Sequence, residues 1–175
     1  MASIVLIYST VDGHTREICE RLRDIVEREG HELTLTELDG QSRIDLEPFD
    51  RVVIGASIRY GKHQQEVFDF IARNQAQLET MSNALFSVNV VARKPEKNTP
   101  ETNPYLQKFL KKIAWQPQNL AVFAGKIDYT RYGFMDRTMI RFIMWMTKGP
   151  TDPTQTIEFT DWNKVDEFGQ RILDM

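Results

Sequence analysis

The sequence predicts an α/β protein built on a doubly wound, five-stranded parallel sheet with helices on both faces. Two observations carry that prediction. Short apolar runs alternate with amphipathic stretches of helical length, the order that builds βαβ units. One of the runs, Arg51-Val52-Val53-Ile54-Gly55-Ala56-Ser57, is continuously apolar, as a strand covered on both faces should be.

The elements follow in order. Ile4 to Tyr8 is the first strand, and the helix after it places Ile18, Cys19, Leu22, Ile25 and Val26 on one side before Gly30 closes it. Glu32 to Glu37 alternates through Leu33 and Leu35 and reads as an edge strand. Arg51 to Ser57 is the third strand, followed by a helix with Val67, Phe68, Ile71 and Leu78 inward. Ala84 to Val90 is the fourth strand. A helix from about Thr99 to Ala114 then turns Leu106, Phe109, Leu110 and Ile113 to the core, and Leu120 to Gly125 is the fifth strand. Thr156 to Phe159 reads as the continuation of that strand, ahead of a last helix carrying Val165, Phe168, Ile172 and Leu173.

A chain of 175 residues that is 41% hydrophobic and 27% charged fits one domain, 1–175, with a sizeable core. No secretory signal is expected at its start. The single cysteine, Cys19, cannot form an internal disulfide and falls on the apolar face of the first helix, which predicts a packed thiol. The three histidines lack metal-ligand spacing, so no metal is expected. Charge is uneven. Val91 to Lys148 holds eleven Lys and Arg against four acids, a net of +7, while the rest of the chain is at −10. A basic third in an acidic protein suggests a face for carboxylates or lipid headgroups.

Residues 126–151 form a long insert between the fifth strand and its continuation. Within it, Phe134 to Thr147 is helical in period, with Arg137, Arg141 and Lys148 close together on one side. Met135, Met139, Phe142, Ile143 and Met146 lie opposite, and Ile140, Met144 and Trp145 interleave. The run is too short to span a bilayer, which takes about 20 apolar residues. It suits a helix lying in the plane of a membrane surface, with Arg137, Arg141 and Lys148 at the headgroups and Phe142 and Trp145 in the acyl boundary.

The most specific chemistry lies at the end of the first strand. Ser9-Thr10-Val11-Asp12-Gly13-His14-Thr15 leads directly into a helix. The first N–H groups of a helix lack internal partners and its dipole favours an anion there. Gly13 allows close backbone approach, and Thr10 and Thr15 add hydroxyl donors. The loop lacks the GxGxxG spacing of dinucleotide folds and the Lys of a Walker loop. Nor does the first strand end in the clustered acids of a phosphoacceptor. A flavin mononucleotide remains the good candidate, its phosphate in the Thr10–Thr15 loop and its ring between Ser57-Ile58-Arg59-Tyr60-Gly61 and Ser87-Val88-Asn89-Val90.

The order Thr10-x-x-Gly13-x-Thr15 with these two loops resembles the flavodoxin family over essentially the whole chain, and the split last strand resembles its long-chain members. Arg51 to Gly61 and Ser87-Val88-Asn89-Val90-Val91-Ala92-Arg93-Lys94-Pro95-Glu96-Lys97 are similar to the bacterial menaquinone-dependent protoporphyrinogen IX dehydrogenases, as are the Met-rich insert and Thr151-Asp152. That resemblance implies FMN-dependent oxidation of protoporphyrinogen IX, with electrons passed to a respiratory quinone at the cytoplasmic face of the inner membrane. It implies cofactor contacts from Thr10 through Thr15, from Ser57, Ile58, Arg59 and Tyr60, from Ser87, Val88, Asn89 and Val90, and from Thr151 and Asp152. Asp12 stands where flavodoxins usually carry a hydroxyl, so its N–H rather than its carboxylate is expected to contribute. Arg59, Arg93, Lys94 and Lys97 are candidates for the substrate propionates, Arg being the better carboxylate partner.

Three other readings remain open on the sequence. A flavodoxin-type electron carrier would be acidic around the flavin, whereas the third loop here is basic. An NAD(P)H:quinone reductase needs a nicotinamide pocket, and an adaptor that has lost FMN would not need Thr10, Gly13 and Thr15. No nucleic-acid partner is expected, and oligomerisation is open.

Overall fold

The computed structural model describes residues 1–10, 13–59, 61–129, 133–146, 148–152, 154 and 156–175, apart from the side chain of Arg59. Strands β1 (Ser3–Tyr8), β2 (Glu32–Glu37), β3 (Arg51–Arg59), β5 (Ser82–Val88) and β6 (Asn119–Phe123) form a parallel sheet in the order β2-β1-β3-β5-β6. The two-residue β4 (Lys62–His63) folds back antiparallel on the end of β3.

Strand alternation sends side chains to two separate cores. Val5, Ile7, Val52, Ile54, Leu85 and Val122 pack against Val67, Phe70, Ile71 and Leu78 of α2 (Gln65–Thr80) and Leu106 and Phe109 of α3 (Pro104–Lys112). Ile4, Leu6, Val53, Phe86 and Phe123 pack on the other face against Ile18, Cys19, Leu22 and Val26 of α1 (His14–Arg28) and Val165, Phe168 and Ile172 of α5 (Trp162–Leu173). Cys19 is buried in this second core, and burial pushes its thiol well above the ordinary range. The chain therefore has the doubly wound architecture its periodicity predicts.

Three boundaries differ from the sequence reading, each for a local reason. α3 begins at Pro104 rather than near Thr99. Asn103 caps it, its side chain accepting from Leu106 N at 3.1 Å, and proline suits the first helical position. β5 ends at Val88, and Asn89, whose backbone still bonds Phe123 O and Gly125 N, caps the 3-10 turn Val90–Arg93, its Oδ1 accepting from Ala92 N. Thr156–Glu158 does not extend the main sheet. This strand, β8, pairs antiparallel with β7 (Lys126–Asp128) in a two-stranded sheet of its own. Ile127 faces Ile157 in that pairing, so the hairpin closes the root of the insert.

α4 (Phe134–Met146) crosses the insert and buries only part of its surface. Met144 packs with Ile127 and Tyr129, flanked by Ile140, Val90 and Phe159. Tyr129 Oη donates to Pro150 O at 2.6 Å, Arg137 Nε to Tyr129 O at 3.1 Å and Arg141 Nε to Thr151 O at 2.8 Å. The two arginines thus brace the helix against its own loop. Phe134, Met135, Met139, Phe142, Trp145 and Met146 remain exposed, from 49% at Met139 to 80% at Phe134 and Met135. At 100° per residue these six occupy one continuous arc of about 140°. No described helix is long and apolar enough to cross a membrane.

Candidate functional site

Strand order reverses between β1 and β3, and a crevice opens there beyond the carboxyl ends of the strands. The loop after β1 forms its floor. Thr10 Oγ1 accepts from Gly13 N at 2.9 Å and closes the turn, while Gly13 sits at φ 83°, a left-handed conformation that favours glycine. A Cβ there would meet nothing within 4 Å, so the backbone sets this requirement. Among the described residues no side chain caps α1, which leaves its first N–H groups open to an anion. Val11 and Asp12 lie outside the described residues.

One cleft of about 60 Å³ is lined by Thr10, His14, Thr15, Ser57, Ile58, Val88, Asn89, Val90, Gly125 and Lys126. Eight of these ten residues are ones the sequence selects, drawn from three loops. Larger hollows of about 420 and 480 Å³ lie elsewhere, beside edge strand β6 and between 42–45 and α2. The small cleft is the functional candidate, because three loops at strand ends converge there with unspent polar groups. Ser57 Oγ is one: it is buried and has no hydrogen-bond partner among the described residues, although its own N–H donates to Ser9 Oγ at 3.3 Å. An orphaned buried hydroxyl beside an uncapped helix start fits a bound polar group. The donor set therefore suits a phosphate-bearing cofactor, with Ile58, Val88 and Val90 giving apolar walls for a ring.

Other selected residues fall around this cleft rather than in it. Ser87 turns its hydroxyl away, to His63 Nε2 at 2.8 Å, and so supports the third loop from behind. Arg93 is half-buried, its Nη1 donating to Val90 O at 3.1 Å and its guanidinium lying 5.8 Å from the Phe159 ring centre. Desolvation there lowers its pKa below the ordinary value. Lys94 precedes the short turn Pro95–Lys97 and Lys97 ends it. Thr151 O receives Arg141, and Asp152 Oδ1 accepts from Thr154 N and Thr154 Oγ1. Tyr60 and the side chain of Arg59 lie outside the described residues.

The sequence reading missed four participants. Gly125 and Lys126 enter because the root of the insert runs past the third loop. Thr160 arrives from 146 residues away, its hydroxyl 2.6 Å from His14 Nε2 and donating to Ala124 O at 2.8 Å. His14 Nδ1 lies 2.9 Å from Glu17 Oε2. His14, Glu17 and Glu158 bring ligand atoms within 4.8 Å of one another, but both ring nitrogens are engaged, and the group acts as a pin between α1 and the insert.

His63 is the fourth. Burial, aided by the Lys112 charge, holds its pKa down at about 4. A histidine in the unfolded chain titrates near 6.5, so between these values the unfolded state binds more protons. Stability is therefore expected to fall as the pH drops from about 6.5, by at most about 3 kcal/mol, and to level off below about 4. Urea midpoints measured across that window test this, and His63→Gln should flatten the decline.

The model of the flavodoxin domain family matches residues 5–154 of this chain. The chain belongs to the flavodoxin domain family. The protein named protoporphyrinogen IX dehydrogenase [quinone] in Escherichia coli K12 is 42% identical over 168 residues, covering 96% of this chain and 93% of that one. A protein of the same name in Leishmania major is 41% identical over 166 residues, covering 94% and 71%. The resemblance carried by Arg51–Gly61 and Ser87–Lys97 is thereby borne out. The same fold is seen in oxidised flavodoxin 1 from Bacillus cereus, with a TM-score of 0.57 at 14% identity over 99% of this chain and 98% of that one. A WrbA-like flavodoxin from Agrobacterium tumefaciens has a TM-score of 0.56 at 12% identity, covering 99% and 96%.

Proposed function

We propose that this flavodoxin-fold chain binds FMN and oxidises protoporphyrinogen IX to protoporphyrin IX, passing the electrons to a respiratory quinone. The observation that carries this reading is the 42% identity, over nearly the full length of both chains, to the Escherichia coli dehydrogenase. The cleft is consistent with it, since its donors suit a phosphate and its walls a ring.

FMN supplies the redox chemistry when bound. The chain's own residues bind and orient it. Thr10, Gly13, Thr15 and the start of α1 would hold the phosphate, the Ser57 hydroxyl and the third loop would meet the ring, and Ile58, Val88 and Val90 would exclude water from its faces. Lys126, which lines the cleft, and Arg93, bonded to Val90 O of the third loop, supply positive charge that suits propionates. The insert adjoins the cleft, since Lys126 at its root lines the cleft and Met144 of α4 packs with Val90, another lining residue. The apolar arc of α4 suits peripheral docking on the cytoplasmic face of a bacterial inner membrane, where both the porphyrinogen and the quinone partition.

Anaerobic stopped-flow absorbance tests the reaction directly. FMN-loaded protein mixed with protoporphyrinogen IX is expected to bleach near 450 nm, and a menaquinone analogue should restore the band. A flavin that stays oxidised with the porphyrinogen, yet is reduced by NAD(P)H, would move the chain to the reductase class.

A further inference from the structure

We infer that His63 is a positioning residue for the flavin ring, locking the second-loop hairpin to the third loop through Ser87 and Asn89. This inference rests on the cofactor reading above. β4 exists to bring His63 back opposite Ile58, one of the cleft residues, in antiparallel register. From there His63 Nε2 meets Ser87 Oγ at 2.8 Å. The same hydroxyl accepts from Asn89 Nδ2 at 3.3 Å, so its own proton is available for the ring nitrogen. Asn89 and Asn103 exchange amide hydrogen bonds of 3.2 and 3.0 Å, Asn103 Nδ2 also reaches Lys97 O, and Asn103 caps α3.

One buried polar chain therefore runs from the hairpin of the second loop, through β5, to both ends of the third loop. The two loops it joins are the walls between which the ring would lie. Phe109 packs on the imidazole at 4.7 Å between centres, and Phe68 on Phe109 at 4.8 Å, which fixes the ring's orientation. Its buried setting keeps the imidazole neutral at ordinary pH, and either neutral tautomer can bond the Ser87 hydroxyl. His63 lies behind the walls and does not line the cleft, so it sets their separation without touching the cofactor.

The test compares His63→Phe, which keeps an aromatic ring but removes the hydrogen-bonding nitrogen, with His63→Gln, whose amide can replace it. Ser87→Ala breaks the same bond from the other side and serves if His63→Phe does not fold. Binding is read by flavin fluorescence with FMN and with riboflavin, and the flavin midpoint potential by spectroelectrochemistry. His63→Phe and Ser87→Ala should each weaken both ligands by about tenfold, since the ring rather than the phosphate is misplaced. Both should shift the potential, and His63→Gln should remain within about twofold of the parent. Unchanged binding and potential in His63→Phe and Ser87→Ala would overturn the assignment, as would a loss that His63→Gln fails to restore. A parent protein that binds no FMN would instead remove the cofactor reading itself, and this inference with it.

Discussion

Protein carrying Phe142→Glu and Trp145→Glu together is expected to stay in the supernatant when centrifuged with vesicles containing phosphatidylglycerol, while the parent sediments. Phe142 and Trp145 are 55% and 70% exposed, and their rings lie 6.2 Å apart within the apolar arc. Burying a large apolar side chain is worth about 1.5–3 kcal/mol, and placing a carboxylate at an anionic surface adds repulsion. The pair should therefore weaken partitioning by at least about a hundredfold. The core contacts of α4 run through Ile140 and Met144, so folding of the insert should survive the change. Equal sedimentation of parent and variant would end the case for this helix as the membrane contact. Sedimentation that vanishes in high salt but ignores the substitutions would assign binding to the basic residues alone.

Gly55→Ala should produce the largest loss of stability from a single methyl group. Gly55 lies in β3 at the centre of the sheet, between Tyr8 of β1 and Phe86 of β5. A Cβ there would stand 2.4 Å from Phe86 Cζ. Phe86 cannot retreat, being fully buried with Phe123 and Phe168 at ring separations of 5.4 and 5.7 Å. Overpacking of this kind costs about 1–3 kcal/mol or somewhat more, which for a chain of this size lowers Tm by roughly 5–10 °C. Phe86→Leu in the same chain should recover part of that loss, because the two sites share one space. A Tm within about 2 °C of the parent would mean that the sheet opens at this point more readily than its packing implies. The effect would reach the cleft too, since Gly55 O accepts the Ser9 N–H just before the phosphate loop.

Much of the cleft could be read from short windows of sequence. Thr10, Gly13 and Thr15 declare themselves because strand, turn and helix start are consecutive, and the geometry of an uncapped helix end is local. Ser57, Ile58, Val88 and Asn89 follow once the alternating elements predict a parallel sheet, whose loops all emerge at one end. Asn103 could have been found by its own rule, since Asn followed by Pro is a strong helix start, yet the longer apolar period drew the boundary back to Thr99. Nothing in the neighbourhood of Thr160 or His63 marks either one, because their partners His14 and Ser87 are 146 and 24 residues away.

The sequence by itself determined the order of strands and helices, the two apolar faces that sandwich the sheet, the anion-binding turn after β1 and the amphipathic insert. Each of these is written in side-chain period or turn chemistry within some fifteen residues, where backbone geometry alone relates position to direction. Only the tertiary structure decided that β8 turns back against β7, that Arg137 and Arg141 brace the insert from within, and that Ser87 supports the third loop from behind. Those outcomes depend on register and on which loops meet, and contacts between distant segments are settled by the packing of the whole chain.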